Sequence, residues 1–341
     1  MGSAVEPKLL KLRSGWELPS ISPGCLIVEA YLRFLNKPFD VEEFDSARRC
    51  PVGRLPALDT QGDVVCAGPG SGVPSASWPA VPAMRGVPCE FDDAISILRY
   101  LAAHQMDLDA SLDAAQRAQA TAIVTMLLTH VAPAVLHCTW VDSASFSSHT
   151  RPALGKSLPF PLSWTAPAMQ RRSIAGALGH LGQDQIYGEA SHALHALQDI
   201  LAAGKGPYLT GERPSSADAV AYGLVGYLRA APVTPPDLAS DLERCGSVTA
   251  LVTRIATEHM GAPLPAVTPG QQYTGQGGPR KPKREEPTPA ELSQRKYSRM
   301  WIAGVAVMAV AYTILGGMIT LEVSDLAFDE HEDVDDDDDM E

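Results

Sequence analysis

The stretch YLTGERPSSADAVAYGLVGYL, residues 208–228, starts with turn-forming residues and ends as an apolar run. Ser215 and Asp218 stand three residues apart immediately before that run. A hydroxyl and a carboxylate at this spacing can satisfy the free amide groups at the start of a helix. The pattern therefore predicts a helix over residues 217–229 that begins at a capping box.

The chain around this segment also has the pattern of helices. Apolar residues recur at helical spacing in several stretches of the second half of the chain. The predicted helices are 112–141, 169–181, 184–203, 217–229 and 236–258. The second half of the chain is therefore expected to be all-helical.

The first hundred residues instead alternate between strand and helix patterns. In chain order, the predicted elements are strand KLLKLR (8–13), helix CLIVEAYLRFL (25–35), strand FDVEEF (39–44), strand GRLPAL (53–58), strand DVVCA (63–67) and helix DDAISILRYLAAH (92–104). Acidic residues open the last helix, as the helix dipole favours. The predicted order is βαβ–ββα, followed by helices alone.

This order resembles the glutathione transferase fold, in which a thioredoxin-like α/β domain precedes an all-α domain. The turn PALD after GRL resembles the cis-proline turn of that fold, so the resemblance makes Pro56 the cis residue. The stretch 208–228 resembles the late-helix signature of the fold, in which Asp218 caps the helix.

Within that superfamily the chain resembles the metaxins over residues 8–258. Three stretches carry the resemblance: LPSISPGCLIVEAYLRFLNKPFDV (18–41), SLPFPLSWTAPAMQRR (157–172) and the late-helix segment 208–228. Two features depart from the family pattern, namely an insert at 68–90 and a strongly acidic C-terminal tail. The family implies a non-catalytic subunit of the sorting and assembly machinery, which inserts β-barrel proteins into the mitochondrial outer membrane.

The C-terminal part has the pattern of a membrane anchor on a tether. Residues 301–321, WIAGVAVMAVAYTILGGMITL, contain no charge, and 21 residues of helix extend about 31 Å, which matches a bilayer core. Pro and Gly dominate residues 261–291 before it. The expected organisation is a thioredoxin-like domain at 1–107, a helical domain at 108–260, a linker at 261–298, a transmembrane anchor at 299–321 and a tail at 322–341.

The charges flanking the anchor predict its orientation. Twelve of the 40 acidic residues lie in 322–341, so the remaining 28 nearly balance the 27 Lys and Arg. Basic residues precede the apolar run: Arg280, Lys281, Lys283, Arg284, Arg295, Lys296 and Arg299. The positive-inside rule then keeps the large domain in the cytosol and sends the acidic tail across the membrane. The resemblance to metaxins implies that the tail lies in the intermembrane space. The N-terminal sequence has neither a signal-peptide nor a transit-peptide pattern.

An enzyme would need the glutathione site of the superfamily. There, a Ser at the start of the third helix binds the γ-glutamyl carboxylate of glutathione, and the corresponding position in this chain is Asp93, preceded by Asp92. A second carboxylate at that position repels the ligand. The nucleophile position lies within SISPGC, where Ser22 or Cys25 could stand near a helix N-terminus, which lowers the pKa of a thiol. An isolated Cys at a helix start is more often a buried apolar side chain, so Cys25 is at most a vestigial thiol site.

Other patterns do not point to a cofactor, a metal or nucleic acid. The six Cys residues are scattered without CxxC spacing, which fits reduced thiols in the cytosol. His192 and His195 share a helix face, but no third metal ligand is evident beside them. Without the tail the chain has almost no net charge, so no basic excess indicates nucleic-acid binding.

Three aromatic residues near prolines are candidates for a partner interface. They are Trp140, Phe160 and Trp164, and the alternative is that they simply pack in the core and loops. The expected partners are the β-barrel insertion core, other metaxin-like subunits and β-barrel precursors, whose terminal strand could also join a free sheet edge. The alternative functions are a membrane-anchored glutathione transferase or thiol reductase, and a tethering adaptor.

Overall fold

Four strands form a mixed sheet in the N-terminal part of the computed structural model, which describes residues 7–60, 63–67, 80–155, 158, 160–204, 206–261 and 264. The strand order is β2-β1-β3-β4. The strands are β1 Lys8–Leu12, β2 Asp40–Phe44, β3 Ala57–Thr60 and β4 Asp63–Val65. β1 pairs parallel with β2 and antiparallel with β3, which in turn pairs antiparallel with β4.

Helices account for most of the remaining described residues. They are α1 Pro23–Phe34, α2 Glu90–Ala103, α3 Ala114–Val141, α4 residues 143–155, α5 Leu162–Leu178, α6 Gln183–Ala203, α7 residues 216–230, α8 Pro236–Arg244 and α9 Gly246–Glu258. The connection from β1 through α1 to β2, followed by the β3–β4 hairpin and α2, is the predicted βαβ–ββα order. Helices α3–α9 follow as an all-helical part, which agrees with the glutathione transferase-like fold.

The sheet part and the helical part share one hydrophobic core. Leu9 and Leu26 belong to the same buried cluster as Val131 and Leu251. Helix α1 approaches α7 closely at Gly223, where an added Cβ would lie 2.9 Å from the amide nitrogen of Ile27. The close approach therefore requires a residue without a side chain.

Helix α3 is long and apolar enough to cross a membrane, but it lies inside the fold. Its most apolar window has a mean hydropathy of 1.6, and 61% of that window is buried within the protein. Burial of this kind is typical of a core helix. The other candidate span, 299–321, lies outside the described residues, as do the tail 322–341, nearly all of the linker 261–298, and residues 68–79 of the insert.

The structure differs from the predicted elements in four places. Helix α5 begins at Leu162 rather than at residue 169, because Pro167 is accommodated inside the helix instead of ending it. Residues 143–155 are helical, although the sequence pattern predicts no helix there. The predicted helix 236–258 is divided at Cys245, whose ψ of 68° is not helical. Only Ala57 and Leu58 of the predicted strand 53–58 are in a strand.

Candidate functional site

A cleft of about 330 Å³ opens between the sheet part and the helical part. Its lining includes the apolar side chains of Trp16, Ile21, Leu55, Met84 and Trp140 and the polar side chains of Ser22, Arg54, Glu90, Asp93 and Gln170. The N-termini of α1 and α2 both reach this cleft. Every position that the sequence marked as a possible glutathione site therefore lies in or beside it.

A carboxyl group of the same chain accepts hydrogen bonds at the N-terminus of α1. Ser22 is the N-cap of α1, and its hydroxyl donates a hydrogen bond to the Glu90 carboxyl group. The amide of Gly24 donates to the same Glu90 oxygen at 3.3 Å. Loss of solvent raises the pKa of Glu90, while both hydrogen bonds act in the opposite direction. A helix N-terminus is a ready anion site, and here Glu90 occupies it.

Cys25 does not have the environment of a reactive thiol. The residue is fully buried, and its Sγ accepts a hydrogen bond from the amide of Leu12 at 3.4 Å. Burial raises its pKa to about 12. Since the thiolate is the nucleophile, a thiol that is protonated at neutral pH and closed to solvent cannot attack a substrate. The structure thus places Cys25 as a core side chain.

Asp93 is engaged by its neighbours. Its carboxylate lies 2.9 Å from Nε of Arg54 and accepts the amide of Ala67 at 2.8 Å. Burial raises the pKa of Asp93 to about 7, against the opposing effect of Arg54. Asp92, one residue earlier, accepts the amide of Ala80 at 2.6 Å. Asp93 therefore places a carboxyl group at the position where the resemblance to glutathione transferases predicts a Ser that binds the carboxylate of glutathione.

The two other fold-marking residues have well-defined positions. The peptide bond between Leu55 and Pro56 is cis. Asp218 accepts hydrogen bonds from the amides of Ser215 and Leu209, both at 2.9 Å, and from the Ser215 hydroxyl at 2.7 Å. Burial raises the pKa of Asp218 to about 6. Asp218 thus joins the start of α7 to the loop before it.

The three candidate interface aromatics do not form one surface. Trp140 is half-buried in the cleft, with its ring 6.3 Å from that of Phe146. Phe160 and Trp164 lie around the start of α5 and are 70% and 59% exposed. The structure therefore separates one cleft residue from two surface residues.

The sequence did not identify Glu90 or Arg54 as residues of the cleft. Glu90 falls within the predicted insert, and helix α2 was expected to begin two residues later. An acid at the first position of a helix is an ordinary dipole partner, so nothing in the sequence indicated that it bonds to α1. Among the described residues no group of three or more His, Cys, Asp and Glu could hold a metal ion, and His195 instead lies 3.7 Å from Sγ of Cys245.

The chain matches two family models and is similar to solved structures. Residues 25–171 match a family described as an outer mitochondrial membrane transport complex protein, and residues 190–255 match the glutathione S-transferase C-terminal domain. The β-etherase LigF from Sphingobium sp. strain SYK-6 superposes with a TM-score of 0.48 at 15% identity, covering 75% of this chain and 98% of that chain.

Curated relatives match over most of the length. Metaxin-1 of Sus scrofa is 27% identical over 325 residues, which are 90% of this chain and 89% of the relative. Metaxin-3 of Xenopus laevis is 28% identical over 246 residues, which are 69% of this chain and 71% of the relative. The match to the transport-complex family and the long alignments with metaxins agree, and the chain is similar to the metaxins over most of its length.

Proposed function

We propose that this chain is a non-catalytic subunit of the mitochondrial outer-membrane machinery that imports and inserts β-barrel proteins. The similarity to metaxins and the match to an outer mitochondrial membrane transport complex family support a role in such a complex. The proposed topology has residues 299–321 as the anchor, the folded part in the cytosol and the tail 322–341 in the intermembrane space. The proposed partners are the insertion core, other metaxin-like subunits and β-barrel precursors.

The position of the Glu90 carboxyl group at the N-terminus of α1 supports the proposal that the chain is not an enzyme. This carboxyl group takes the hydrogen bonds of Ser22 and Gly24, so a thiolate ligand would have to displace it. Cys25 supplies no alternative nucleophile, because it is buried and its pKa is about 12. Among the described residues that line the cleft, none favours an anchored transferase or reductase over a non-catalytic subunit.

The cleft itself is the proposed contact for a client segment. Apolar walls such as Trp140 and Met84, with Arg54 and Gln170 at polar positions, fit an extended stretch that alternates apolar and polar side chains. A volume of about 330 Å³ has room for a few side chains at a time. The cleft would thereby hold a precursor strand until the insertion core accepts it.

Affinity purification tests the assembly role. Tagged full-length protein is isolated from mitochondria in mild detergent, and the co-purifying proteins are identified by mass spectrometry. We expect the β-barrel insertion core among the co-purifying proteins. Recovery of tethering proteins without that core would instead favour the adaptor, and retention on immobilised glutathione that free glutathione reverses would favour the enzyme.

A pair of matched substitutions tests the cleft. Ala166→Phe adds a ring to the cleft lining, whereas Ala122→Phe adds the same ring at an exposed position on α3. We expect A166F, but not A122F, to reduce crosslinking of a β-barrel precursor while leaving recovery of the insertion core unchanged. Equal crosslinking by the two variants would exclude the cleft as the client contact.

A further inference from the structure

Exposed large apolar side chains are concentrated at the start of α5. Phe160, Leu162, Trp164 and Met169 are 70%, 37%, 59% and 67% exposed, and they fall within ten residues. Single exposed apolar residues are ordinary, but four of them within ten residues indicate a contact surface. These four residues, with Arg151 and Arg172, are called the α5 face below.

The helical geometry turns this surface away from the core. Pro167, Ile174 and Leu178 are the buried residues of α5. At about 100° per residue, Met169 and Arg172 lie on the side of the helix opposite to Pro167. Met169 and Arg172 therefore lie on the outer side of α5, and no residue of the α5 face lines the cleft.

The charge of this region is one-sided. Residues 143–183 contain no Asp or Glu, although the chain has 40 acidic residues in 341, and they contain Arg151, Lys156, Arg171 and Arg172. The guanidinium of Arg151 lies 4.7 Å from the centre of the Trp164 ring. Arg172 is exposed. The α5 face thus combines aromatic and aliphatic side chains with cations and no acid.

This combination matches the chemistry of an anionic lipid surface. Trp and Phe partition into the interfacial zone of a bilayer, and nearby Arg or Lys side chains pair with anionic headgroups. An acidic side chain on such a face would be repelled by those headgroups, and residues 143–183 have none. The sequence pointed to a protein contact for Phe160 and Trp164, whereas the charge pattern favours lipid.

We propose that the α5 face docks on the anionic surface of the membrane to which the chain is tethered. The proposal rests on the anchor at 299–321 in the proposed function. The proposed linker, 261–298, has 38 residues. The folded part is then held near the surface at a high effective concentration, so a small, weakly binding face suffices. Docking would fix the orientation of the cleft relative to the membrane.

An environment-sensitive fluorophore on the α5 face tests the docking. The six native cysteines are buried, so a Cys introduced at Met169 in the full-length chain can be labelled alone. The labelled protein is reconstituted into vesicles of phosphatidylcholine, or of phosphatidylcholine with 30 mol % phosphatidylserine as a rough starting composition. A Cys at Ala122, which is exposed on α3, carries the same label as the matched control.

We expect a blue-shifted, brighter emission from the label at 169 in anionic vesicles, little change in neutral ones, and no change from the label at 122. The double variant Arg151→Gln and Arg172→Gln should weaken docking roughly 30-fold, since each basic residue near an anionic surface contributes about fivefold. High salt should reverse the shift.

Flotation of the vesicles separates failure of the docking from failure of the anchor. Protein that floats and resists alkaline extraction, yet shows water-like emission at 169, overturns the docking and leaves the anchor standing. Protein that does not float overturns both. An emission shift that appears only when another protein is added would make the α5 face a protein interface and overturn the lipid assignment.

Discussion

The ion pair between Arg54 and Asp93 predicts a pH-dependent loss of stability when the arginine is removed. Arg54→Gln leaves a buried carboxyl group that still accepts the Ala67 amide but has lost its cation, which is 2.9 Å away in the parent protein. Breaking a buried pair from one side costs about 3–5 kcal/mol. We expect a loss of this size in the free energy of unfolding at about pH 9, where the carboxyl group of the parent protein is ionised.

The pH dependence follows from the direction of the pKa shift. Burial raises the pKa of Asp93 from 3.8 to about 7 in the folded protein, so its contribution to stability is fully present below pH 3.8 and is lost as the pH rises to about 7. Without Arg54 the pKa rises further. The free energy of unfolding of the variant therefore keeps falling above pH 7, by up to about 1.4 kcal/mol per pH unit. Above that pH the ionisation of Asp93 no longer changes the stability of the parent protein. Near pH 6 the loss should shrink to about 1 kcal/mol, the value of one hydrogen bond.

Urea unfolding of the full-length protein in mild detergent, followed by tryptophan fluorescence at pH 6, 7, 8 and 9, measures this difference. Asp93→Asn is the control, because Arg54→Gln in that background should have little dependence on pH. A loss for Arg54→Gln that is the same at pH 6 and pH 9 would refute the argument. It would mean that Arg54 acts through packing rather than through the charge of Asp93.

Three further predictions concern the rest of the fold. Asp218→Ala removes the acceptor of two buried amides and should lower the free energy of unfolding by about 2–5 kcal/mol in urea unfolding, with Asp218→Asn losing less; equal losses would contradict the role of the second oxygen. Gly223→Ala places a Cβ against the backbone at Ile27 and should cost about 1–3 kcal/mol in a thermal unfolding scan, so an unchanged melting temperature would show that the helices can move apart. Cys25 should resist iodoacetamide at pH 8 in the folded protein and react in urea, as peptide mass spectrometry can measure, and labelling of the native protein would overturn its assignment as a core residue.

The fold could be predicted because its signals are local. The box at Ser215 and Asp218 and the alternation of the first strands depend on residues close in sequence. Pro167 misled the prediction of α5, because a proline usually ends a helix. In the structure the carbonyl that Pro167 leaves free is that of Ser163, and Gly155 lies against it with no side chain between them. That contact is between α4 and α5, so the sequence of neither helix alone predicts it.

The remaining differences have the same origin. Residues 143–155 are rich in Ser and Thr, which favour turns over helices, yet Phe146 and Thr150 are buried and the Thr150 hydroxyl donates to the carbonyl of Thr139 at 2.6 Å. Packing therefore decides the conformation of this segment. The bond between Glu90 and Ser22 joins residues 68 positions apart, and no periodicity reports such a distance.

The carboxyl group of Glu90 has a consequence for how the protein responds to the small molecules around it. A ligand from solution stabilises a fold only in proportion to its concentration relative to its dissociation constant. Glu90 is part of the chain, so the N-terminus of α1 keeps its acceptor whatever the supply of thiol or phosphate metabolites. We expect the stability of this fold to be independent of the glutathione concentration, whereas an enzyme of the same architecture is stabilised only while glutathione is bound.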